Sequence, residues 1–408
     1  MAGATLTTAD AALKEDYQPA MREQLNNASM LLNQIEKNSK DVEGRRAVLS
    51  LHTNRSAGVG ARAEGGTLPT AGSQGYVEER VSLRYNYGRI KLTGPVIRAM
   101  KSDNGSFVRA VDSESKGIVN DLKQDVERQL FGTSDGVIAT CTTTSGSTTV
   151  NLATTTTAVQ MRQFRIGMLV DIGTVAQLGA GSGGRVYADP ITAVSAANKT
   201  ITITTSVTTA STDFVSRAGS GGATTLQKEL TGLQSIIAAS GTLFNVNPTT
   251  SPDWVSYVDS NSGTNRTATE SLFIKAIQQG EIAGGVTVDL FVCSDGVHRA
   301  YANQLISQKR FSNTVDLKGG YKGLEIQGGG ESVALAWAKD CPLNRAFGIN
   351  TSHLTQNQSS DWEFMDMDGA VLSRVSGEDA YEAVLFKYHE ITTDKRNAHV
   401  LLSDLTEA

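Results

Sequence analysis

Cysteine is scarce in this 408-residue chain: Cys141, Cys293 and Cys341 lie far apart, with no C-x-x-C pair. That spacing excludes a disulfide scaffold and a cysteine zinc site. Charged residues make up only 19%, against ~25% in most soluble domains, and proline only 7 residues. No apolar run approaches the ~18 residues of a membrane span. The N-terminal MAGATLTTADAALKEDY has neither the basic start nor the apolar centre of a secretory signal. The chain therefore reads as a soluble protein made in a reducing cytoplasm.

Chemistry-bearing patterns are equally thin. Cys293 and His298 lie five apart around an expected strand-to-helix turn, and a buried cysteine ending a strand accounts for them better than a nucleophile and its base. The five histidines (His52, His298, His353, His389 and His399) show no i,i+4 pair and no carboxylate at metal-ligand spacing. Asp366-Met-Asp368-Gly369 lacks the closing Glu of a calcium loop and reads as a turn. Gly179-Ala-Gly-Ser-Gly-Gly has no following Gly-Lys-Ser/Thr and reads as a turn tip. No enzyme activity, metal or cofactor is expected.

What the chain does have is segregated charge. Its net is −5, yet Arg45 to Lys101 holds ten basic residues against three acidic ones, while residues 226–408 hold 14 basic and 22 acidic. Such separation suits a protein that meets copies of itself or a polyanion.

The basic stretch contains Leu51 to Gly75, with six of the chain's 40 glycines. A period-two run follows, in which Val81, Leu83, Tyr85 and Tyr87 alternate with Ser82, Arg84 and Asn86. This reads as a projecting hairpin whose apolar face a neighbour must cover. Upstream, Met21, Leu25, Ala28, Leu31, Leu32 and Ile35 form one stripe of a helix expected over 19–37. Residues 105–131 give the strongest helix, with Val119, Leu122, Val126 and Leu130 on its apolar face and Gly132 as its stop.

Residues 133–225 carry 22 Thr and only nine charges. Strands are expected near 137–141, 148–152, 168–172, 191–194, 199–204 and 213–217, forming a small β-module hinged at Gly132 and at Gly219 to Gly222. Beyond it, helices are expected over 227–239, from 270 up to Gly280, and over 295–308. Strands are expected at 286–292, 332–337 and 380–389. The class is α+β.

The C-terminal half adds characteristic phrases: Thr231-Gly-Leu-Gln-Ser-Ile-Ile, Ser251-Pro-Asp-Trp-Val and Asp289-Leu-Phe-Val-Cys-Ser. Tyr301, Gln308-Lys-Arg-Phe and Cys341-Pro-Leu-Asn-Arg-Ala-Phe-Gly-Ile-Asn-Thr follow. In this order the parts resemble the major capsid protein of tailed bacteriophages, of the Hong Kong phage type. The resemblance implies an α+β capsid fold with an N-terminal arm (1–45), an extended loop (46–95), a peripheral segment with a spine helix (96–132) and a β-rich insertion (133–225). The rest of the peripheral domain and the axial domain (226–372) follow, then a return to the peripheral sheet (373–408).

It also implies a structural, non-enzymatic role in the virion: self-assembly into hexamers and pentamers of an icosahedral head around double-stranded DNA, built in the host bacterial cytoplasm. The implied partners are copies of the chain, a separate scaffolding protein, a portal, a decoration protein and non-specifically held DNA, with no membrane. On this reading Arg55, Arg62, Arg80, Arg84, Arg89 and Lys91 meet acidic surfaces of a neighbouring subunit, while Val81, Leu83, Tyr85 and Tyr87 bury their apolar faces there. The Thr-rich module leaves a competing reading, a β-rich decoration or surface protein that does not itself form the shell.

Overall fold

The computed structural model describes residues 29–40, 42–43, 46–95, 104–180, 184–222, 227–307, 314–316, 322–328, 331–366 and 373–408. The elements used below are β1 (Arg46–Asn54), β2 (Gly75–Ser82), β3 (Arg84–Thr93), α1 (Asn104–Leu130), α2 (Glu270–Gly284), β4 (Leu290–Cys293) and α3 (Asp295–Ser307). They continue with β5 (Glu331–Trp337), β6 (Ala346–Ile349), β7 (Thr355–Gln358), β8 (Ala380–Thr392) and β9 (Val400–Leu402).

A mixed seven-stranded sheet lies at the centre, ordered Tyr257–Asp259, β9, β6, β4, β5, Lys322–Gly328 and Thr314–Asp316. Because successive strand residues face opposite sides, each strand feeds two cores. Leu290, Val292, Ala334, Ala336, Phe347 and Ile349 enter one core, with Leu31, Leu130, Phe131 and Trp254. Phe291, Cys293, Val333, Leu335 and Val400 enter the other, under Phe273 and Ile277 of α2 and Val297 and Tyr301 of α3. Near-continuous apolar strands such as Leu-Phe-Val-Cys are what burial on both faces demands.

A second sheet is built on the long strand β8. It pairs antiparallel with all ten residues of β3 and with β7, and β7 pairs parallel with Glu36–Asn38. Helix α1 packs across this sheet at Gly88, where a methyl group would stand 2.7 Å from both Ile118 and Leu122.

The Thr-rich segment folds as a six-stranded sheet, ordered Val137–Thr140, Phe214–Arg217, Leu169–Gly173, Val186–Ser195, Thr200–Thr209 and Thr144–Asn151, with its own core around Val150, Val170, Ile172, Ile201 and Val215. All six strands fall where the β-branched runs predict them. Its neck is tightly closed rather than a slack hinge. Gly222 donates its N–H to the Asp135 carbonyl (3.0 Å), and a methyl group on Gly136 would stand 2.6 Å from the Ser220 carbonyl oxygen.

Four expectations need correction. Of the helix expected over 19–37, residues 19–28 lie outside the described residues. The remainder is a turn followed by the strand Glu36–Asn38, because Glu127 of α1 holds the N–H groups of Leu31 and Leu32, each at 2.9 Å, and the chain then joins β7. Over 227–239 only Leu233–Ile236 is helical. Side chains hold the preceding backbone instead: Gln129 accepts from the Leu230 N–H and Glu390 from the Thr231 N–H. Helix α2 runs through Gly280 to Gly284 and stops at the left-handed Gly285 (φ 67°). Gly280 is small because it packs on Val400, not because the helix ends there. Finally, Val175–Ala180 is a short helix, so Gly179 closes a helix rather than opening a strand turn; Asp368 and Gly369 lie outside the described residues.

Candidate assembly surface

β1 and β2 pair in an antiparallel hairpin with Ala47 opposite Val81 and Leu51 opposite Val77. The inner face of this hairpin is not bare. Ala47, Leu51 and Val81 are buried, Leu51 and Val77 belong to the main core, and the Arg80 N–H reaches the Phe244 carbonyl at 3.0 Å. Leu83 is buried as well. Val81 and Leu83 are therefore covered by their own chain and not held open for a neighbour.

Leu83 also marks a break between β2 and β3, and the break inverts the alternation. In β3 the inward residues are Asn86, Gly88 and Ile90, packed toward α1, whereas Tyr85 and Tyr87 point outward, 51% and 53% exposed. A strand reverses its faces whenever the count slips by one residue. Tyr85 and Tyr87 form a patch with two aromatics of β8: the Tyr388 ring lies 5.0 Å from Tyr85 and 6.0 Å from Tyr87, both edge-on, and Phe386 lies 4.9 Å from Tyr388. Edge-on pairs at such distances add ~0.5–1.5 kcal/mol each.

The basic residues fall into two groups. Arg84, Arg89 and Lys91 pair with Glu390, Glu382 and Glu378 on β8 and the turn before it. The acidic C-terminal block does meet the arm's cations, but within one chain, across the β3–β8 ladder. Lys91–Glu378 is an exposed pair and Arg89–Glu382 a partly exposed one, both screened by solvent and weak. Arg84–Glu390 (3.1 Å) differs because Glu390 is fully buried. Burial pushes the Glu390 carboxyl up to about 7, and Arg84 with the N–H groups of Thr231 and Ile391 opposes that rise.

Arg55, Arg62 and Arg80 stay at the surface. Arg80 pairs with its neighbour Glu78 at 2.8 Å, and Arg62 donates to the carbonyls of Ala61 and Thr67. Arg62 belongs to the segment between the hairpin strands, residues 55–74, which has no strand or helix and is exposed along most of its length. Two glycines give it shape. A methyl group on Gly58 would stand 2.9 Å from the Gly72 nitrogen, and one on Gly72 would stand 3.0 Å from the Gly58 nitrogen. The two limbs thus touch and form a finger, along which Val59 and Leu68 are 80% and 82% exposed. Sequence reasoning found the glycine density but not this contact, which depends on residues fourteen apart.

Two buried polar features escape composition and spacing. Glu79, on the hairpin's inner face, is fully buried and neither carboxylate oxygen has a hydrogen-bond partner. Burial, reinforced by the charge of Asp394, pushes its carboxyl up to about 8. Under β3, Arg128 of α1 bridges Asp125 (3.1 Å) and Glu229 (3.1 Å), Gln129 reaches Asp125 (2.8 Å), and Asn86 reaches His389 (3.0 Å). Burial opposes ionisation of Asp125, but Arg128 and Arg217 outweigh it and hold the carboxyl near 2. Burial lowers His389 to about 3, which leaves it neutral. These groups lock α1 to the sheet. Cys293 is a core residue ending β4, its thiol directed to the Ala336 carbonyl (3.5 Å) and pushed far up by burial. Among the described residues no group of three or more His, Cys, Asp or Glu is placed to hold a metal ion.

No protein-family profile matches the sequence, and neither does any curated protein. Solved structures do match. The capsid asymmetric unit of cyanophage A-1(L) aligns at TM-score 0.59 and 12% identity, over 99% of this chain and 100% of that one. The capsid of a native GTA particle aligns at TM-score 0.52 and 10% identity, over 99% and 100%. The likeness is one of fold: this chain shares the α+β, Hong Kong phage-type fold of those capsid structures.

Proposed function

We propose that the chain is the major capsid subunit of a phage head. It assembles into the hexamers and pentamers of an icosahedral shell around double-stranded DNA, with a separate scaffolding protein, a portal and a decoration protein as further partners. The observation that carries this reading is the finger. The Gly58–Gly72 contact fixes its shape, yet Val59 and Leu68 along it are left to solvent. A preformed finger with exposed apolar side chains is what a subunit lays on its neighbour, since the ordering cost is met before contact. The patch of Tyr85, Tyr87, Phe386 and Tyr388 is a second face of the same kind. Each contact is weak, and closed symmetry makes many of them act together. Exposed Arg55 and Arg62 suit pairing with an acidic neighbour or non-specific contact with DNA phosphate.

Replacing residues 55–74 by a two-residue turn tests the proposal by sedimentation velocity and negative-stain microscopy. The intact chain is expected to form shells or rings and the deletion to stop at soluble subunits or capsomers. Normal shells from the deletion overturn the finger's role. An intact chain that sediments only as monomer or trimer favours a surface protein.

A further inference from the structure

A groove of about 770 Å³ runs between α1, the β-module and the turn carrying Lys339 and Asp340. Its walls are held apart by sparse polar links: Arg165 to Asp121 (3.5 Å), Arg217 to Asp125 (3.4 Å) and Arg162 to the Lys339 carbonyl (3.1 Å). Between these links the lining is apolar and uncovered. Ile166 is 73% exposed and Leu169 nearly half exposed, across from Ile118 of α1. The lining carries five basic and three acidic side chains. Four of the cations are paired, Arg128 also with Glu229 behind the wall. The small positive surplus left suits an occupant that is mildly acidic and brings apolar side chains of its own.

Two observations identify that occupant. Residues 1–28 contain Asp10, Glu15, Asp16 and Glu23 against Lys14 and Arg22, a net of −2, together with Leu6, Leu13, Met21 and Leu25. The finger, by contrast, has Arg55 and Arg62 against Glu64, a net of +1. Second, the chain arrives at Leu31 and Leu32 bound to Glu127, on the same helix as the groove wall. Glu127 lies one turn or less from Gln124 and Arg128, which line the groove, and feels the charges of Lys339 and Asp340 on the opposite wall. We propose that this groove is the docking site of the chain's own acidic segment, residues 1–28, which straps the β-module to the spine helix within one subunit.

A photo-crosslinker tests this in the full, unassembled chain. Benzoylphenylalanine is placed at Leu25 in an equal mixture of isotopically light and heavy protein, and crosslinked peptides are read by mass spectrometry. The expected products join position 25 to peptides spanning 117–124 or 162–169 within one isotopic form. In a variant carrying Ile166→Asp and Arg165→Glu, both exposed, the yield should fall at least fivefold with unchanged circular dichroism. Crosslinks that join light to heavy chains assign the groove to another copy and overturn the proposal. So do crosslinks outside the groove, a yield indifferent to the double variant, or efficient labelling of the same peptides from a crosslinker at Val59 of the finger.

Discussion

Among the described residues, Glu79 is buried at a clear cost. It sits opposite Leu49 in the hairpin ladder, buried, with no partner for either oxygen, and its carboxyl is raised to about 8. A carboxyl raised on folding keeps its proton in the native state while the unfolded chain ionises near its ordinary value of 4.5. Stability therefore falls as pH rises from about 4.5 to about 8, and the full cost is present above that range. Glu79→Gln removes the titration. At pH 7 the variant should be more stable than the natural chain by on the order of 3 kcal/mol, and the two should converge near pH 5. Urea unfolding at both pH values measures it; a variant no more stable than the natural chain at pH 7 would show that Glu79 is solvated or paired. Nothing in Tyr-Val-Glu-Glu-Arg-Val distinguishes Glu79 from exposed Glu78 except strand parity, and parity places Glu79 on the same face as Val77 and Val81.

Among the elements, the finger gives the sharpest test because its shape depends on two glycines. Gly58→Ala puts a methyl group against the Gly72 nitrogen and the Thr70 carbonyl, so the limbs must part. Gly60→Ala meets only the mobile end of Arg62 and serves as the control. Both sites are exposed or nearly so, and monomer stability should change by no more than ~0.5 kcal/mol in either variant. Shell yield by sedimentation should collapse for Gly58→Ala and persist for Gly60→Ala. Equal yields would mean that the contact is incidental.

Legibility followed how local the deciding forces were. The six module strands and α1 were readable because β-branched runs and the Val119–Leu122–Val126–Leu130 spacing are short-range signals. The facing of Tyr85 and Tyr87 was not, because one unpaired residue, Leu83, inverts the pleat. The sequence offers Arg84 no partner within its own chain, because Glu390 lies 306 residues away. The segment 227–239 has helical spacing, yet long-range bonds from Gln129 and Glu390 occupy the N–H groups a helix would have used.

At the scale of the whole molecule, the proposed assembly divides its work between charge and apolar surface. Most of the arm's cations are already paired within the chain: Arg80 with Glu78, Arg84 with Glu390, Arg89 with Glu382, Lys91 with Glu378. They have little left for a neighbour, so in the proposed shell the contacts would come chiefly from Val59, Leu68 and the aromatic patch. That ordering has a measurable consequence. Tyr85→Asp with Tyr87→Asp leaves the monomer's core untouched, since both rings are about half exposed, but places charge where a neighbour would exclude water. A loss of ~1.4 kcal/mol per subunit contact raises the protein concentration needed for shells about tenfold. Raising salt to about 1 M screens exposed charge pairs strongly and should shift the same threshold by less. Light scattering against protein concentration, at two salt levels and for both proteins, separates the terms. A threshold that moves with salt but not with the tyrosine pair would mean that ion pairs between subunits carry the shell.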